Sequence, residues 1–425
     1  MTDKIIELLK ESSADAWAIT DKVTQAWEFY FIGHKLDQNR VRDVEHIQVD
    51  VFRKLQGGKL LGKASEEIAP TATVEEAKKI IEQLSERATF APNPYYELTK
   101  ETVQVENKTY DPQEIAKEFI EAMQQVPETD GEYINSYEIF AESCKRRFIN
   151  SEGVDVTVTY PNSMVEVVVN AKNEEHEIEL YRMYKAGTCD KDHLVKEITD
   201  TLKFGKDRLV TKPTPNLEKA TVLFSTEDAK ALFQWAAMNM HAAYKFMGYS
   251  KFEAGKEILE DVTGDKLTIK AVKELPNSSN NIAVDSEGSP VHDMYIIKDN
   301  VAQNYWGDCQ FRHYMGVKDS FIVGNFAAEG GSSTEAELRC GKYLEPVEFS
   351  DFGVDEITGD IAGEIRLAYL HDGDKVTIVS GGSVSGNLNE LMKNARFSKE
   401  LKQYNNTVVP AVVKLENVTI AGAEG

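Results

Sequence analysis

The sequence predicts an α+β protein, an N-terminal domain of mixed sheet and helices followed by a β-rich C-terminal domain. Three observations point there. Apolar alternation of period two recurs in many separate runs, helical periodicity is confined to a few stretches between them, and a polar run carrying two prolines divides the chain near its middle. With 425 residues, of which 41% are apolar, the chain is long enough to bury a sizeable core in each part.

Taken in order, residues 4–11 read as a short helix. The runs "AWAIT", "AWEFYFIGH", "HIQVDVFRKLQ" and "KLLGKASEEI" alternate as antiparallel strands do, with Gly57-Gly58 as the clearest turn. In "TATVEEAKKIIEQLSERATFA", Val74, Ala77, Ile80, Ile81 and Leu84 fall at helical spacing, Thr71 or Thr73 offers an N-cap, and acidic residues occupy the first turn. A second helix is expected over "DPQEIAKEFIEAMQQV". Strands resume at "SYEIFAESCKRRFIN", "VDVTVTYPNSMVEVVVNA" and "HEIELYRMYKAG", and a helix over "DKDHLVKEITDTLKFGKDRL" closes the domain at 1–209. The polar segment "VTKPTPNLEK" (210–219) is expected to be the linker. The second domain, 220–425, opens with the strand "ATVLF" and one long amphipathic helix over "TEDAKALFQWAAMNMHAAYKFMG" (226–248). Strand-like runs separated by Gly, Asn and Asp follow to the end.

Several function classes are disfavoured. The formal charge of −23, spread along the chain, opposes capture of nucleic-acid phosphates, so no direct nucleic-acid partner is expected. The four cysteines, Cys144, Cys189, Cys309 and Cys340, are far apart and form no C-x-x-C pair, which fits a reducing compartment. The N-terminus is amphipathic and charged, and eighteen apolar residues nowhere run together; a cytoplasmic protein without membrane attachment is the expectation.

Motifs for chemistry are incomplete. "GDKVTIVSGGSVSGNLNELMKN" has Gly381 and Gly386 at the glycine spacing of a phosphate loop, but Asn387 and Leu388 stand where its lysine and hydroxyl belong. His292, Cys309 and His313 lie near one another in sequence, with Asp293 and Asp308 beside them, yet the spacing selects no third zinc ligand. His241 continues the apolar face of the long helix and receives no chemistry from its spacing. There is no G-x-S-x-G nucleophile elbow. The sole His-Glu pair, His176-Glu177, has Leu180 and Tyr181 where a second zinc-binding histidine would follow.

"AWEFYFIGHKLDQNRVRDVEHIQVDVFRK", "FINSEGVDV", "NSSNNIAVDSEGSPVHDMYIIKDNVAQNYWGD", "DEITGDIAGEIRLAYLHDGDK", "VSGNLNELMKNA" and "VVPAVVKLENVTIAGA", in this order, resemble stretches of the TldD/PmbA family of peptidase subunits, also called modulators of DNA gyrase. The first is similar to that family's opening hairpin and the second to its N-S-x-G-V segment. The third is similar to its D-x-E-G-x-P turn and following strand, and the fourth to its T-G-D-F segment and hairpin. The last two resemble its G-N helix and closing strand. The catalytic TldD-type member carries H-E-x-x-x-H on the helix after the linker, the histidines binding zinc and the glutamate working on the metal-bound water. Those positions correspond here to Gln234, Trp235 and Asn239, and the family's C-terminal cysteine ligand has no counterpart after Cys340. An amide is a poor substitute for imidazole on zinc, and tryptophan exchanges no proton with water.

The resemblance therefore implies a PmbA-type (TldE-like) subunit with no catalytic residue, no cofactor and no metal of its own. It implies association with a TldD-like catalytic subunit, or with a second copy, and action on unfolded or extended peptides. Two alternatives stay open. One is an active metallohydrolase whose ligands come from His241, His292, Cys309 or His313. The other is a peptide-binding homodimer that presents strand edges and acts alone.

Overall fold

The alternating runs of the first half are spent on one sheet. The computed structural model describes residues 1–423. In it "AWAIT" and "AWEFYFIGH" belong to a single strand, Ala16–Ile32, whose polar middle stretch pairs without interruption with both neighbouring strands. That strand sits at the centre of a seven-stranded antiparallel sheet, paired with Lys35–Leu55 on one side and Glu132–Asn150 on the other. Leu60–Ile68 and the two-residue Asn93–Pro94 extend the sheet one way, Asp155–Lys172 and Glu177–Ala186 the other.

Helices α1 (Thr2–Glu11), α2 (Val74–Arg87), α3 (Pro112–Met123) and α4 (Lys191–Arg208) supply the second layer. Of the two candidate caps, Thr73 takes the position at α2: its hydroxyl accepts from the Glu76 N–H and the Glu76 carboxylate accepts from the Thr73 N–H. Helices α1 and α2 bury Ile5, Leu9, Ile81 and Leu84 against Trp17, Ile19 and Val49, while α3 and α4 bury Phe119, Leu194 and Ile198 against Phe31, Ile139 and Val167. Trp17, Ile19 and Phe31 are odd-numbered positions of one strand, so both helix pairs cover the same face.

The C-terminal half is built on strand closure. Lys342–Val354, Leu217–Phe224, Val413–Ala421, Ser383–Asn387 and Asp360–Asp372 pair in that order, and the last pairs again with the first, so the five strands form a ring. Lys375–Ser380 continues from the second half of Asp360–Asp372, and Lys212–Pro213 within the polar 210–219 segment pairs with its end. A six-stranded mixed sheet lies alongside, and its strand Thr407–Pro410 runs directly into Val413–Ala421. The class is α+β.

One expectation needs correction. The apolar period of 226–248 does not produce one long helix: the chain forms α5 (Ala229–Met238), breaks, and restarts as α6 (Ala242–Phe246). At the break His241 is extended, pairs as an isolated bridge with Trp306, and caps α6 by accepting the Ala243 N–H on Nδ1 at 3.2 Å. Helical periodicity is a local signal, and here a bridge to a residue 65 positions away prevails.

The domains are fastened by charge-assisted contacts. The buried Arg146 guanidinium donates to the carbonyl oxygens of Val284 and Asp285 at 2.7 and 2.8 Å. The Tyr369 hydroxyl donates to Asp207 at 2.6 Å, and Arg182 pairs with Glu348.

Candidate functional site

Helix α5 lies between the strand Lys342–Val354 and the strand Thr407–Pro410, with Leu232, Phe233, Trp235, Ala236 and Ala237 all buried in the C-terminal core. The three positions singled out on this segment serve different neighbours. Gln234 is half-buried and lines a narrow crevice with Ile269, Phe326 and Thr407. Trp235 points elsewhere and is 1% exposed; its ring meets Phe252 edge-on at 5.8 Å. Asn239 is the C-cap of α5, and its amide donates to the Trp235 carbonyl at 2.9 Å and to the Glu356 carbonyl at 2.8 Å.

Trp235 and Asn239 are thereby brought together around the turn at 355–359, and Gln234 is not among them. The turn comes close because residue 359 is glycine. Its φ is +78°, and a Cβ there would lie 3.1 Å from the Trp235 Nε1 and 2.7 Å from the Asn389 Nδ2. The Trp235 Nε1 is buried without a hydrogen-bond acceptor.

The other candidate ligands are dispersed. His241 packs edge-on against Trp306 at 4.5 Å, and burial holds its pKa below the ordinary imidazole value, against the opposing pull of Asp308 and Glu356. His292 lies on Phe321, with Asp319 at 3.8 Å. Cys309 starts the short helix α7 (Cys309–Tyr314), where its N–H donates to Glu287 at 2.6 Å; burial, with Glu287 adding to it, pushes the thiol far above its usual range. His313 is exposed and meets Tyr95 edge-on. Among the described residues no group of three or more His, Cys, Asp and Glu side chains is arranged to hold a metal. The phosphate-loop near miss resolves into the strand Ser383–Asn387 and a four-residue helix that Asn387 caps.

A cavity of about 670 Å³ opens at the start of α5. Its walls come from both domains: Arg182, α4 and the turn Ser225–Asp228 face Glu345, Glu348 and Lys402. No spacing rule pointed to it, because its charged residues are scattered from 182 to 402. One local signal existed. Asp228 stands where an N-cap belongs, yet its side chain caps nothing.

Comparison with known proteins agrees with this architecture. Residues 217–422 match the PmbA/TldA metallopeptidase C-terminal domain. An uncharacterized protein of Methanocaldococcus jannaschii is 24% identical over 292 residues, 63% of this chain and 65% of that protein, so the match spans less than two thirds of the relative. Among solved structures, TldE from Thermococcus kodakarensis superposes with TM-score 0.77 at 16% identity, covering 99% of this chain and all of the other. A candidate modulator of a DNA gyrase from Thermotoga maritima also gives 0.77 at 16% identity over 99% of both chains. At such identities these structures establish the fold. The family model covers the ring, α5 and the closing strand, so residues 217–422 are similar to the C-terminal domain of the PmbA/TldA metallopeptidases, and the whole chain shares the fold of these structures.

Proposed function

We propose that this chain is a non-catalytic subunit of a TldD/PmbA-type zinc metallopeptidase assembly, acting in the cytoplasm on unfolded or extended peptides alongside a TldD-like catalytic chain. One observation carries the proposal. The resemblance sets Gln234, Trp235 and Asn239 against the motif of the zinc-binding helix, and the middle one is a tryptophan buried in the core. A carboxylate at that place would work on a metal-bound water; an indole there is a rigid, mostly apolar ring that exchanges no proton with it. Asn239 ties the helix end to the 355–359 turn, which suits a part kept for shape. The fold likeness to TldE supports the reading, since that protein too is full-length similar to this one.

The test is co-purification and reconstitution. The tagged chain, isolated from native lysate, is expected to bring down a TldD-like chain, and mixing the two is expected to raise turnover of an unfolded polypeptide above that of the catalytic chain alone. The pure chain is expected to hold no stoichiometric zinc and to cleave nothing. One zinc per chain that survives dialysis, with chelator-sensitive peptidase activity, would show that a different ligand set operates.

A further inference from the structure

The interdomain cavity is lined by many charges, and most are paired with one another or with side chains just behind the wall. Arg182 pairs with Glu348, and Arg339 donates to Glu345 at 2.5 Å. Glu345 also accepts from the Ser225 hydroxyl at 2.6 Å. Glu197 has His193 at 3.6 Å, Asp200 has Lys196, and Glu227 has Lys230. Lys203 is exposed to water and lies toward the Tyr369 ring.

Two half-buried groups are left over, one of each sign. Asp228 receives only a 3.4 Å hydrogen bond from Thr226, and Arg182, already held by Glu348, acts on it from a distance. Lys402 donates to the Ser225 carbonyl at 2.8 Å, with Glu335 and Asp200 felt only at longer range. Among the described residues neither has an ion-pair partner, and they do not pair with each other. Ser225, which Lys402 reaches, is three residues from Asp228 on the turn that enters α5, and both Asp228 and Lys402 line the cavity. Taking a charge out of water without a partner is costly, and each shows the strain: burial raises the Asp228 pKa and lowers that of Lys402.

We propose that this cavity binds a small zwitterion, a free amino acid or a short peptide with free termini, whose ammonium pairs with Asp228 and whose carboxylate pairs with Lys402. A ligand of either single sign would leave one of the two unsatisfied. The volume accommodates several residues, and Tyr404, Tyr369 and Phe349 supply apolar wall for the ligand's carbon atoms. The inference does not rest on the subunit reading, which concerns the 234–239 face of α5.

Titration calorimetry on the full chain tests it, with alanine and trialanine as probes for the two sources of the zwitterion. N-acetyl-trialanine and trialanine amide are the single-terminus controls. Saturable one-to-one binding of alanine or trialanine is expected, weakened roughly tenfold or more when either terminus is blocked. Asp228→Asn is expected to remove the penalty for acetylation, and Lys402→Met the penalty for amidation; each leaves the other penalty in place. This matching keeps the test decisive even if a variant loses some stability, because a merely structural defect does not choose a terminus. Absence of saturable binding by either probe would overturn the inference. So would equal binding of free and blocked peptides, or variants whose effects ignore which terminus is blocked.

Discussion

Replacing Asp228 by asparagine should make the protein more stable at neutral pH. The carboxyl lies on the cavity wall, desolvated chiefly by burial and further disfavoured by Glu348 and Glu227, with Arg182 and the Thr226 hydroxyl only partly offsetting them. Its pKa is raised from the ordinary 3.8 to about 6. At about 1.4 kcal/mol per pKa unit this corresponds to about 3 kcal/mol of destabilisation when the group is ionised. Residual contact with water and the need to seat an amide reduce the expected gain to about 1–2 kcal/mol. The sign follows from proton binding. Between pH 3.8 and about 6 the folded chain holds a proton that the unfolded chain has released, so this group's contribution to stability falls as pH rises through that window and stays low above it. Urea unfolding of wild type and Asp228→Asn should therefore differ at about pH 7.5 and converge at about pH 4. A variant that is less stable than wild type at neutral pH, or a difference that does not shrink on acidification, would refute the argument that Asp228 is an uncompensated charge.

Three further outcomes are expected. Trp235→Phe should cost under about 1.5 kcal/mol, because the indole N–H it deletes has no acceptor, whereas Trp235→Ala should cost about 3–5 kcal/mol through the cavity it leaves; calorimetric melting separates the two. Phe233→Ala and Met240→Ala, at 3% and 0% exposure, should each cost about 2–5 kcal/mol on the same measurement. Gln234→His, Trp235→Glu and Asn239→His combined should yield no zinc-dependent peptidase. The first side chain lines a different crevice from the other two, and the glutamate would enter a closed apolar core. Turnover of an unfolded polypeptide by that variant with added zinc would show the remaining site to be intact.

What the sequence made legible was local. Alternation located the half-buried parts of the long strands of the N-terminal sheet, though it split Ala16–Ile32 in two and missed the exposed first half of Lys35–Leu55, and Thr73, one of two candidate caps, marks the start of α2. The break at His241 was invisible, because Met240, Ala243 and Tyr244 keep the helical period while the cause lies at Trp306. Ring closure was invisible for the same reason: it joins Leu344 to Val222. The positions 234, 235 and 239 stood out through family resemblance alone, and nothing in their spacing distinguishes them from ordinary helix residues. Asp228 and Lys402 carry no motif. That they lack partners is a property of the assembled walls, which no linear pattern encodes.

The five-stranded ring also governs when this protein can fold during synthesis. The strand that opens the C-terminal domain, Leu217–Phe224, is bordered by Val413–Ala421, which is made some 190 residues later. At about 5–20 residues per second, the opening strand waits roughly 10–40 s for that neighbour. The N-terminal sheet needs nothing beyond Ala186 to complete its pairing, so it can mature while the second domain is still a set of unjoined strands. Folding of this chain is thus expected to be vectorial in its first half, while the ring of the second half waits for Val413–Ala421 and leaves the edge of Leu217–Phe224 open until then.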